Sequence, residues 1–454
     1  MAPPSSALLH ERSEPCTKSE LHPFSIPPTQ TSIDKCLWVT YEPTTTSIEE
    51  GPINFNAPGD GDTMIDMSQT FFEFGVKITK ADGTNIDPVR EVDDVIQGSK
   101  VGPINGLLQS AFSEVEVKLN NKPCSPTSNL HPIRAYIENL LNFDRDSYNS
   151  WLEEALWKID ESEKFEDSDP LGENVNTGFK WRNKFFKDNR TVRLIGKLHH
   201  DMFNLDQLLL SHVAVRVKLI RSPHAFVLMS SEGDGAGYRL KIESAKMHVK
   251  RVYVASNLLL SHEATLMKKN ATYHFTRAEV FTDTINAGLH GLSRDNIFLG
   301  DLPKRITLGL IDEEALSGKY DKNPFNFKAN GIIHIDVTIG GQHVEGSPLD
   351  FSPDEENEEA DYLAGYHTLF HSGQQLFQRR GLPFGRDEYQ HGFFLTSFNL
   401  SPDTDGCHLS PIKQGALKIQ LKFARALERN LNLVVYSEFD EVLNINKKRE
   451  ILVD

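Results

Sequence analysis

The combination of side chains best suited to chemistry is His334-Ile335-Asp336, a His-x-Asp triplet. Non-haem iron oxygenases bind their metal with two histidines and one carboxylate, which leaves open positions for substrate and oxygen. A second histidine would have to come from a distant segment, and an arginine would hold the carboxylate of a co-substrate. The candidates for these two roles are His367, His371, His391, Arg379 and Arg380. One hypothesis is therefore a jelly-roll iron oxygenase.

The same triplet also fits an ordinary, half-exposed strand. Between Gly331 and Gly341, apolar residues alternate with His334, Asp336 and Thr338. A period of two places the apolar set in a core and the polar set towards solvent. The apolar set is Ile333, Ile335, Val337 and Ile339. Since His-x-Asp is short enough to arise by chance, we favour this structural interpretation and predict neither a metal nor a catalytic residue here.

Other candidate sites are weaker. His199 and His200 are adjacent, and neighbours on a strand point to opposite faces, so they would not share a metal. The glycine-rich segment 233–237 lacks the helix and lysine of a phosphate-binding loop. The acidic segments 161–169 and 354–361 lack the spacing of an EF-hand, and we interpret them as solvated loops. The sequence predicts a structural or binding role, with no cofactor and no enzymatic activity.

Composition excludes several classes of protein. The chain has 454 residues, 39% of them apolar, and a formal net charge of −16, which repels phosphate, so we expect no direct binding of nucleic acid. No apolar run reaches the length of a membrane span, and the first 30 residues do not resemble a signal peptide. The 4 cysteines are scattered and contain no CxxC pair, which favours a reducing compartment.

The order of predicted elements is repeated about 200 residues apart, which is the scale of one sandwich domain. Each copy has an alternating strand, a polar hairpin, a helix, a Phe-Asn-Leu triplet and two further strands. The hairpins are predicted at Asn120-Asn121-Lys122 and Gly340-Gly341-Gln342, and the triplets begin at Phe203 and Phe398. The repetition predicts two related domains in tandem.

Short strands with turn signals dominate both copies, which favours sandwiches over a doubly wound parallel sheet. We predict an all-β fold of two tandem antiparallel jelly rolls, a double jelly roll, with short inserted helices. The expected divisions are a flexible N-terminal arm, a first jelly roll with a helical insertion, a linker helix and a second jelly roll. They span residues 1–34, 35–255, 256–270 and 271–454.

A third hypothesis is a carbohydrate-binding double sandwich, because such sites stack sugars on exposed aromatic rings. The candidates are Trp151, Trp157 and Trp181. Trp151 and Trp157 have the spacing expected if they pack the inserted helix, which leaves Trp181 as the platform to test.

Several longer motifs carry a resemblance that covers the chain from about Gly51 onwards. They are GPINF at 51–55, DMSQT at 66–70, KITKADG at 77–83, VGPIN at 101–105, SAFSEV at 110–115, RAYIENLL at 134–141, LIRSPHAF at 219–226, LPKR at 302–305 and NPFNF at 323–327. The chain resembles a family of Maverick/Polinton and adintovirus-like elements, whose members are similar to double jelly-roll, hexon-like major capsid proteins.

This resemblance implies a structural role without catalysis. Three chains would form a pseudo-hexagonal homotrimer that tiles an icosahedral viral shell. The implied partners are the chain itself, neighbouring capsomers and a minor capsid or penton protein, and the implied location is the virion capsid after assembly inside the host cell. The acidic segments would lie on the outer tower, and the arm would face inwards.

Overall fold

The computed structural model describes residues 26–45, 48–49, 51–92, 95–172, 175–298, 300–352, 361–372, 381–402 and 411–453, together with residues 12, 18–21, 23–24 and 409. Strands dominate the first half of the chain. They are β1 Ile33–Tyr41, β2 Ile53–Ala57, β3 Thr63–Thr79, β4 Arg90–Val92, β5 Val95–Gln97, β6 Val101–Pro103, β7 Phe112–Leu119, β8 Lys122–Pro123, β9 Val192–Gly196, β10 Val215–Arg221, β11 Leu228–Ser230 and β12 Arg239–Val254.

The second half is built in the same way. Its strands are β13 Ala271–Ile285, β14 Gly291–Asp295, β15 Arg305–Asp312, β16 Phe327–Lys328, β17 Ile332–Ile339, β18 Gln342–His343, β19 Leu349–Asp350, β20 His391–Gly392, β21 Leu395–Asn399, β22 Leu417–Phe423, β23 Leu431–Ile445 and β24 Ile451–Val453. The α-helices are α1 Leu107–Ser110, α2 His131–Asn142, α3 Arg145–Tyr148, α4 Thr177–Asn183, α5 His224–Val227, α6 Ser256–Leu266, α7 Glu313–Ser317, α8 Leu363–Ser372 and α9 Arg386–Tyr389. Single 3-10 turns span Ser19–Leu21, Trp151–Ala155, Asp201–Asn204 and Asp234–Ala236.

Each half forms two facing antiparallel sheets. In the first half the strand orders are β1-β12-β3-β9 and β2-β10-β7-β8. In the second half they are β13-β23-β15-β21 and β14-β22-β17-β18. The two halves therefore use counterpart strands in the same positions, with α2 and α8 at the same place in the chain order. Each half therefore has jelly-roll topology, and this confirms the predicted double jelly roll.

The sequence pattern explains why these strands pair as they do. In β3, Phe72, Phe74, Val76 and Ile78 are buried, and the residues between them face outwards. In β10 and β22, Val215 and Ile419 both occupy inward positions, at 2% and 0% exposure. Burying these apolar faces between two sheets provides the main driving force for each sandwich.

The hairpins that mark the repeat also match. Asn120 and Asn121 join β7 to β8, and Gly340 and Gly341 join β17 to β18. All four have positive φ, at 45° and 70°, then 57° and 85°. Two-residue hairpins of this kind favour Asn and Gly, because both tolerate the left-handed region.

Two details of the predicted repeat are wrong. Phe398 lies in β21, but Phe203 lies in the 3-10 turn Asp201–Asn204, so the Phe-Asn-Leu triplets are not equivalent. In β17 a bulge between Ile332 and His334 shifts the alternation, so that Ile332 is buried in place of Ile333. β1 begins at Ile33, inside the segment predicted as an arm, and α6 spans Ser256–Leu266, within the segment predicted as a linker helix.

Candidate functional site

The best-developed polar site lies where the two sandwiches meet. Helix α2 of the first sandwich contacts β13 of the second. Ile133, Ile137 and Leu140 give the helix its apolar spacing, and Pro132 occupies the first turn, where its missing N–H breaks no helical hydrogen bond. We call the cluster formed by Arg134, Glu138, His199, His200 and Asp201 the joint.

Arg134 is the centre of the joint. Its Nε donates to Glu138 Oε1 at 2.7 Å, and one terminal nitrogen donates to Asp201 Oδ1 at 2.6 Å. The other terminal nitrogen donates to the backbone oxygen of Ala278 at 3.2 Å, and the Ala278 N–H donates to Asp201 Oδ1 at 3.1 Å. One guanidinium thus connects α2, the 3-10 turn after β9 and strand β13, which fixes the second sandwich to the first.

The charges of the joint are strongly coupled. Burial disfavours ionisation of Glu138, but Arg134 and the hydrogen bond to His199 outweigh it and hold the pKa of Glu138 well below its usual range. His199 Nδ1 lies 2.6 Å from Glu138 Oε2, and the Tyr436 hydroxyl of β23 lies 3.3 Å from Glu138 Oε1. Both sandwiches therefore contribute partners to the same carboxylate.

Two histidines of this region are kept neutral by burial. Desolvation lowers the pKa of His131 to about 3 and that of His200 to about 4. His131 Nδ1 lies 3.1 Å from the carbonyl oxygen of Phe112, and His200 Nδ1 accepts from the Met202 N–H at 3.2 Å. Both line a cavity of about 200 Å³ with Arg134 and His199. Their Nε2 atoms have no hydrogen-bond partner among the described residues.

A second buried ion pair supports the same contact. Arg182 of α4 and Asp160 are both 0% exposed and lie 2.8 Å apart. Asn323, from the second half, donates to the Phe165 carbonyl at 3.1 Å. The interpretation of segment 161–169 as a solvated loop is wrong for Phe165, which is buried.

Stacked aromatic rings also contribute to the contact between the two sandwiches. The Tyr136 ring of α2 stacks on Phe325 at 4.3 Å and on Trp157 at 5.2 Å between centroids. Burying three such rings excludes water around the ion pairs and strengthens them. The joint and the stacked rings therefore connect the two sandwiches through buried contacts. Among the described residues, no group of three or more His, Cys, Asp or Glu side chains is arranged to hold a metal ion.

The residues that the oxygenase hypothesis would use as iron ligands have other partners. His334 Nδ1 lies 2.6 Å from Asp350, and Asp336 accepts from the Ser347 hydroxyl at 2.9 Å and lies 2.8 Å from His343 Nδ1. These pairs connect β17 to its neighbours β18 and β19. Both side chains thus take part in ordinary cross-strand pairing on a half-exposed sheet face.

The other candidate ligands do not lie in one cluster with His334 and Asp336. His367 and His371 are on α8, where His371 lies 3.8 Å from Glu345. His391, in β20, lies 3.7 Å from Glu163. Arg379 and Arg380 lie outside the described residues.

The tryptophans do not form a common platform. Trp157 is buried at 1% exposure, whereas Trp151 is half exposed and contacts Phe143 edge-on. Trp181 is partly buried and lies between Phe185 and the ammonium groups of Lys158 and Lys184. The expectation that Trp157 packs the inserted helix is confirmed by its stacking on Tyr136.

Arg134, Glu138 and Asp201 of the joint were missed in the sequence, where His199 and His200 were considered only as possible metal ligands. The spacing of Arg134 and Glu138 is a detectable helical ion pair, but nothing marks it as buried. The interpretation of His199 and His200 as strand neighbours is wrong, because they follow β9 in a loop and both line the same cavity. Asp201 joins the cluster only through the tertiary fold.

Comparisons with known proteins agree with this architecture. No protein-family model matches the chain. It is similar to an uncharacterized protein of Caenorhabditis elegans, with 22% identity over 434 residues that cover 94% of this chain and 99% of that protein. Its structure is similar to a chain of the Sputnik virophage, with a TM-score of 0.65, 12% identity and coverage of 97% and 93%.

The structure is also similar to the mavirus major capsid protein, with a TM-score of 0.50, 11% identity and coverage of 100% and 97%. The fold is a double jelly roll. At such low identity the similarity establishes the fold, which extends over nearly the whole of each chain. Among the described residues, no helix is long and apolar enough to cross a membrane.

Proposed function

We propose that this chain is a structural major capsid protein that forms pseudo-hexagonal homotrimeric capsomers of an icosahedral viral shell. The observation that carries the proposal is the repeated strand order, β1-β12-β3-β9 and β13-β23-β15-β21, held in one orientation by the joint. Two similar sandwiches in each of three chains give six similar units around a threefold axis, and a hexagonal outline tiles a shell.

The double jelly-roll likeness to virophage and mavirus chains supports this role. The motif resemblance supports an origin in Maverick/Polinton or adintovirus-like elements. We propose the virion capsid as its location and a structural role without catalysis. Its proposed partners are further copies, neighbouring capsomers and a minor capsid or penton protein.

We also propose four divisions: an arm at 1–34, a first jelly roll at 35–255, a linker helix at 256–270 and a second jelly roll at 271–454. Sheet composition supports the two rolls, because among the described residues each sheet draws its strands from one half alone. The arm would make contacts with neighbouring capsomers or a minor capsid protein.

Solution mass tests the capsomer directly. A closed homotrimer has three times the chain mass of 51.2 kDa, about 154 kDa, and persists on dilution. Light scattering of the purified full-length chain should give this value, and electron microscopy should then show shells or shell fragments. A stable 51.2 kDa monomer at micromolar concentration would contradict the proposal.

A further inference from the structure

Helix α4 and the turns that follow it form a basic stretch in an acidic chain. Residues 177–193 contain six lysines or arginines and one aspartate, whereas the whole chain has a formal net charge of −16. On an ordinary protein surface the two signs of charge are interspersed. A local cluster of cations therefore concentrates positive potential at one place, and such a place attracts polyanions.

One side of this stretch is anchored in the first sandwich. Phe179 and Phe186 are buried, at 0% and 1% exposure. The buried Arg182 donates to Asp160 Oδ1 at 2.8 Å and to the carbonyl oxygen of Pro103 at 3.0 Å. These contacts determine which side of the stretch faces solvent.

Three lysines lie on the solvent side. Lys180 and Lys184 are exposed and Lys187 is half-buried, at a spacing of i, i+4 and i+7 that extends over about 10 Å of helix. Within the part of the chain that the structure describes, these three lysines make no ion pair, whereas the nearby Lys158 is paired with Glu153 at 2.8 Å. Their positive charges are therefore available to an external anion.

Two aromatic rings hold part of this charge in place. Lys184 Nζ lies 5.0 Å from the ring centroids of both Trp181 and Phe185, and Lys158 Nζ lies 5.3 Å from the centroid of Trp181. Cation–π contacts of this kind restrain long side chains that would otherwise be mobile. The ammonium groups also compete for the ring face on which a nucleobase or a neutral sugar would stack. The rings therefore serve to present charge.

The basic stretch and the N-terminal arm lie at opposite ends of the first sandwich. β1 begins after the arm at Ile33, which pairs with Val254 of β12. β9 begins after the basic stretch at Val192, which pairs with Val76 of β3, and Val76 pairs with Ile242 of β12. The length of β12 from Ile242 to Val254 is about 40 Å. A ligand bound to the basic stretch would thus be remote from the arm.

We propose that the basic patch formed by Lys180, Trp181, Lys184, Phe185 and Lys187 binds a sulfated polysaccharide. Such a chain repeats strong anionic groups along an extended backbone, which suits a row of ammonium groups better than one small anion does. Nucleic acid is disfavoured, because ammonium groups occupy the aromatic rings and the rest of the chain is strongly acidic. The inference goes beyond the proposed function: with the arm facing inwards, the patch would lie on the outside of the shell and meet polyanions of a host cell surface.

Heparin, a highly sulfated polysaccharide, is the probe that tests the patch on the purified full-length chain. Combining Lys180→Gln, Lys184→Gln and Lys187→Gln should weaken the affinity about tenfold or more and flatten its dependence on salt, because fewer counterions are released on binding. Isothermal titration calorimetry at several salt concentrations measures both effects. Light scattering and circular dichroism verify that the variant keeps the mass and the fold of the unchanged chain.

The matched control removes the same charge near the arm end of the molecule. Lys268 follows α6, and Lys447 and Lys448 lie in the turn between β23 and β24, where all three are exposed. Changing these three lysines to glutamine should leave the affinity for heparin unchanged. No binding of heparin by the unchanged chain, or equal losses in the two triple variants, would overturn the inference.

Two further measurements separate the patch from other sites. Trp181→Ala should weaken heparin binding less than the triple lysine change does, and a larger loss would mean that the ring stacks a sugar and that charge is not the main contact. Tighter binding of double-stranded DNA than of heparin at equal ionic strength would assign the patch to nucleic acid and overturn the proposal. A monomeric chain that binds heparin through the patch would support this inference and contradict the proposed capsomer.

Discussion

At the scale of single residues, the joint shows how one buried cation can set the relation of two domains. Arg134 satisfies two carboxylates and a backbone carbonyl drawn from both sandwiches. A buried guanidinium is tolerable only when its charge and its N–H groups are matched in this way. Arg134 therefore both neutralises two carboxylates of the first sandwich and hydrogen-bonds the second sandwich.

Removing the positive charge of Arg134 should lower the free energy of unfolding. Arg134→Leu leaves Glu138 and Asp201 buried without their counter-ion, and we expect a loss of about 3–5 kcal/mol in the free energy of unfolding. Urea denaturation followed by tryptophan fluorescence measures it. Arg190→Leu is the control, because Arg190 is 75% exposed beside Asp188 and should leave the midpoint nearly unchanged. Equal midpoints for the two variants would contradict the assigned role of Arg134.

The neutral histidines should make the joint sensitive to acid. The folded-state pKa of His200, about 4, lies below the unfolded value, so the unfolded chain binds more protons below about pH 6.5. The contribution of His200 to the free energy of unfolding is thus fully present above about pH 6.5 and falls as the pH approaches 4. We expect His200 to account for roughly 2 kcal/mol of the loss by pH 4.5.

His200→Asn isolates this effect. Asparagine retains the hydrogen bond that caps the turn at Met202 but does not titrate, so the fall in stability between pH 7 and 4.5 should be shallower. Thermal melting across that pH range provides the measurement. The exposed His343 serves as the matched control in His343→Asn, which should retain the steep profile of the unchanged chain. Identical profiles for all three proteins would refute the linkage.

At the scale of elements, the inward positions of β10 and β22 decide whether each sandwich folds. Val215→Asp or Ile419→Asp places a carboxylate at a position that is at most 2% exposed, which costs several kcal/mol, and we expect no soluble folded protein. Arg216→Asp, on the exposed side of β10, should stay folded. Solubility and far-ultraviolet circular dichroism distinguish the cases, and a soluble trimer of either core variant would mean that the strand faces are assigned incorrectly.

The repeated elements also show where sequence reasoning succeeds. Alternation and turn residues predicted the strands β7 and β17 and the hairpins that follow them, because both signals are local. The bulge in β17 and the unequal Phe-Asn-Leu triplets were not predicted, because each depends on which neighbouring strand pairs there. Local sequence patterns determine whether a segment forms a strand or a turn, whereas the strand that pairs with it determines its register.

At the scale of the whole molecule, the N-terminal arm should be dispensable for the capsomer but required for the shell. Ile26 is 89% exposed, and β1 begins only at Ile33. Deleting residues 1–29 retains Gln30, whose side chain accepts from the Ile33 N–H at 2.8 Å. We expect a trimer of unchanged mass by light scattering and few or no shells by electron microscopy. Loss of the trimer would contradict an arm that acts between capsomers.

The sequence by itself determined the all-β class, the tandem repeat and the absence of a recognisable catalytic motif, because periodicity, turn residues and motif spacing are carried by neighbouring positions. Only the tertiary structure decided that Arg134, Glu138 and Asp201 form one cluster, and that α2 is buried along nearly its whole length while α8 leaves Leu363 exposed. These facts depend on contacts between residues far apart in the chain. Burial and ion pairing at such contacts follow from how the two sandwiches pack, which no local pattern encodes.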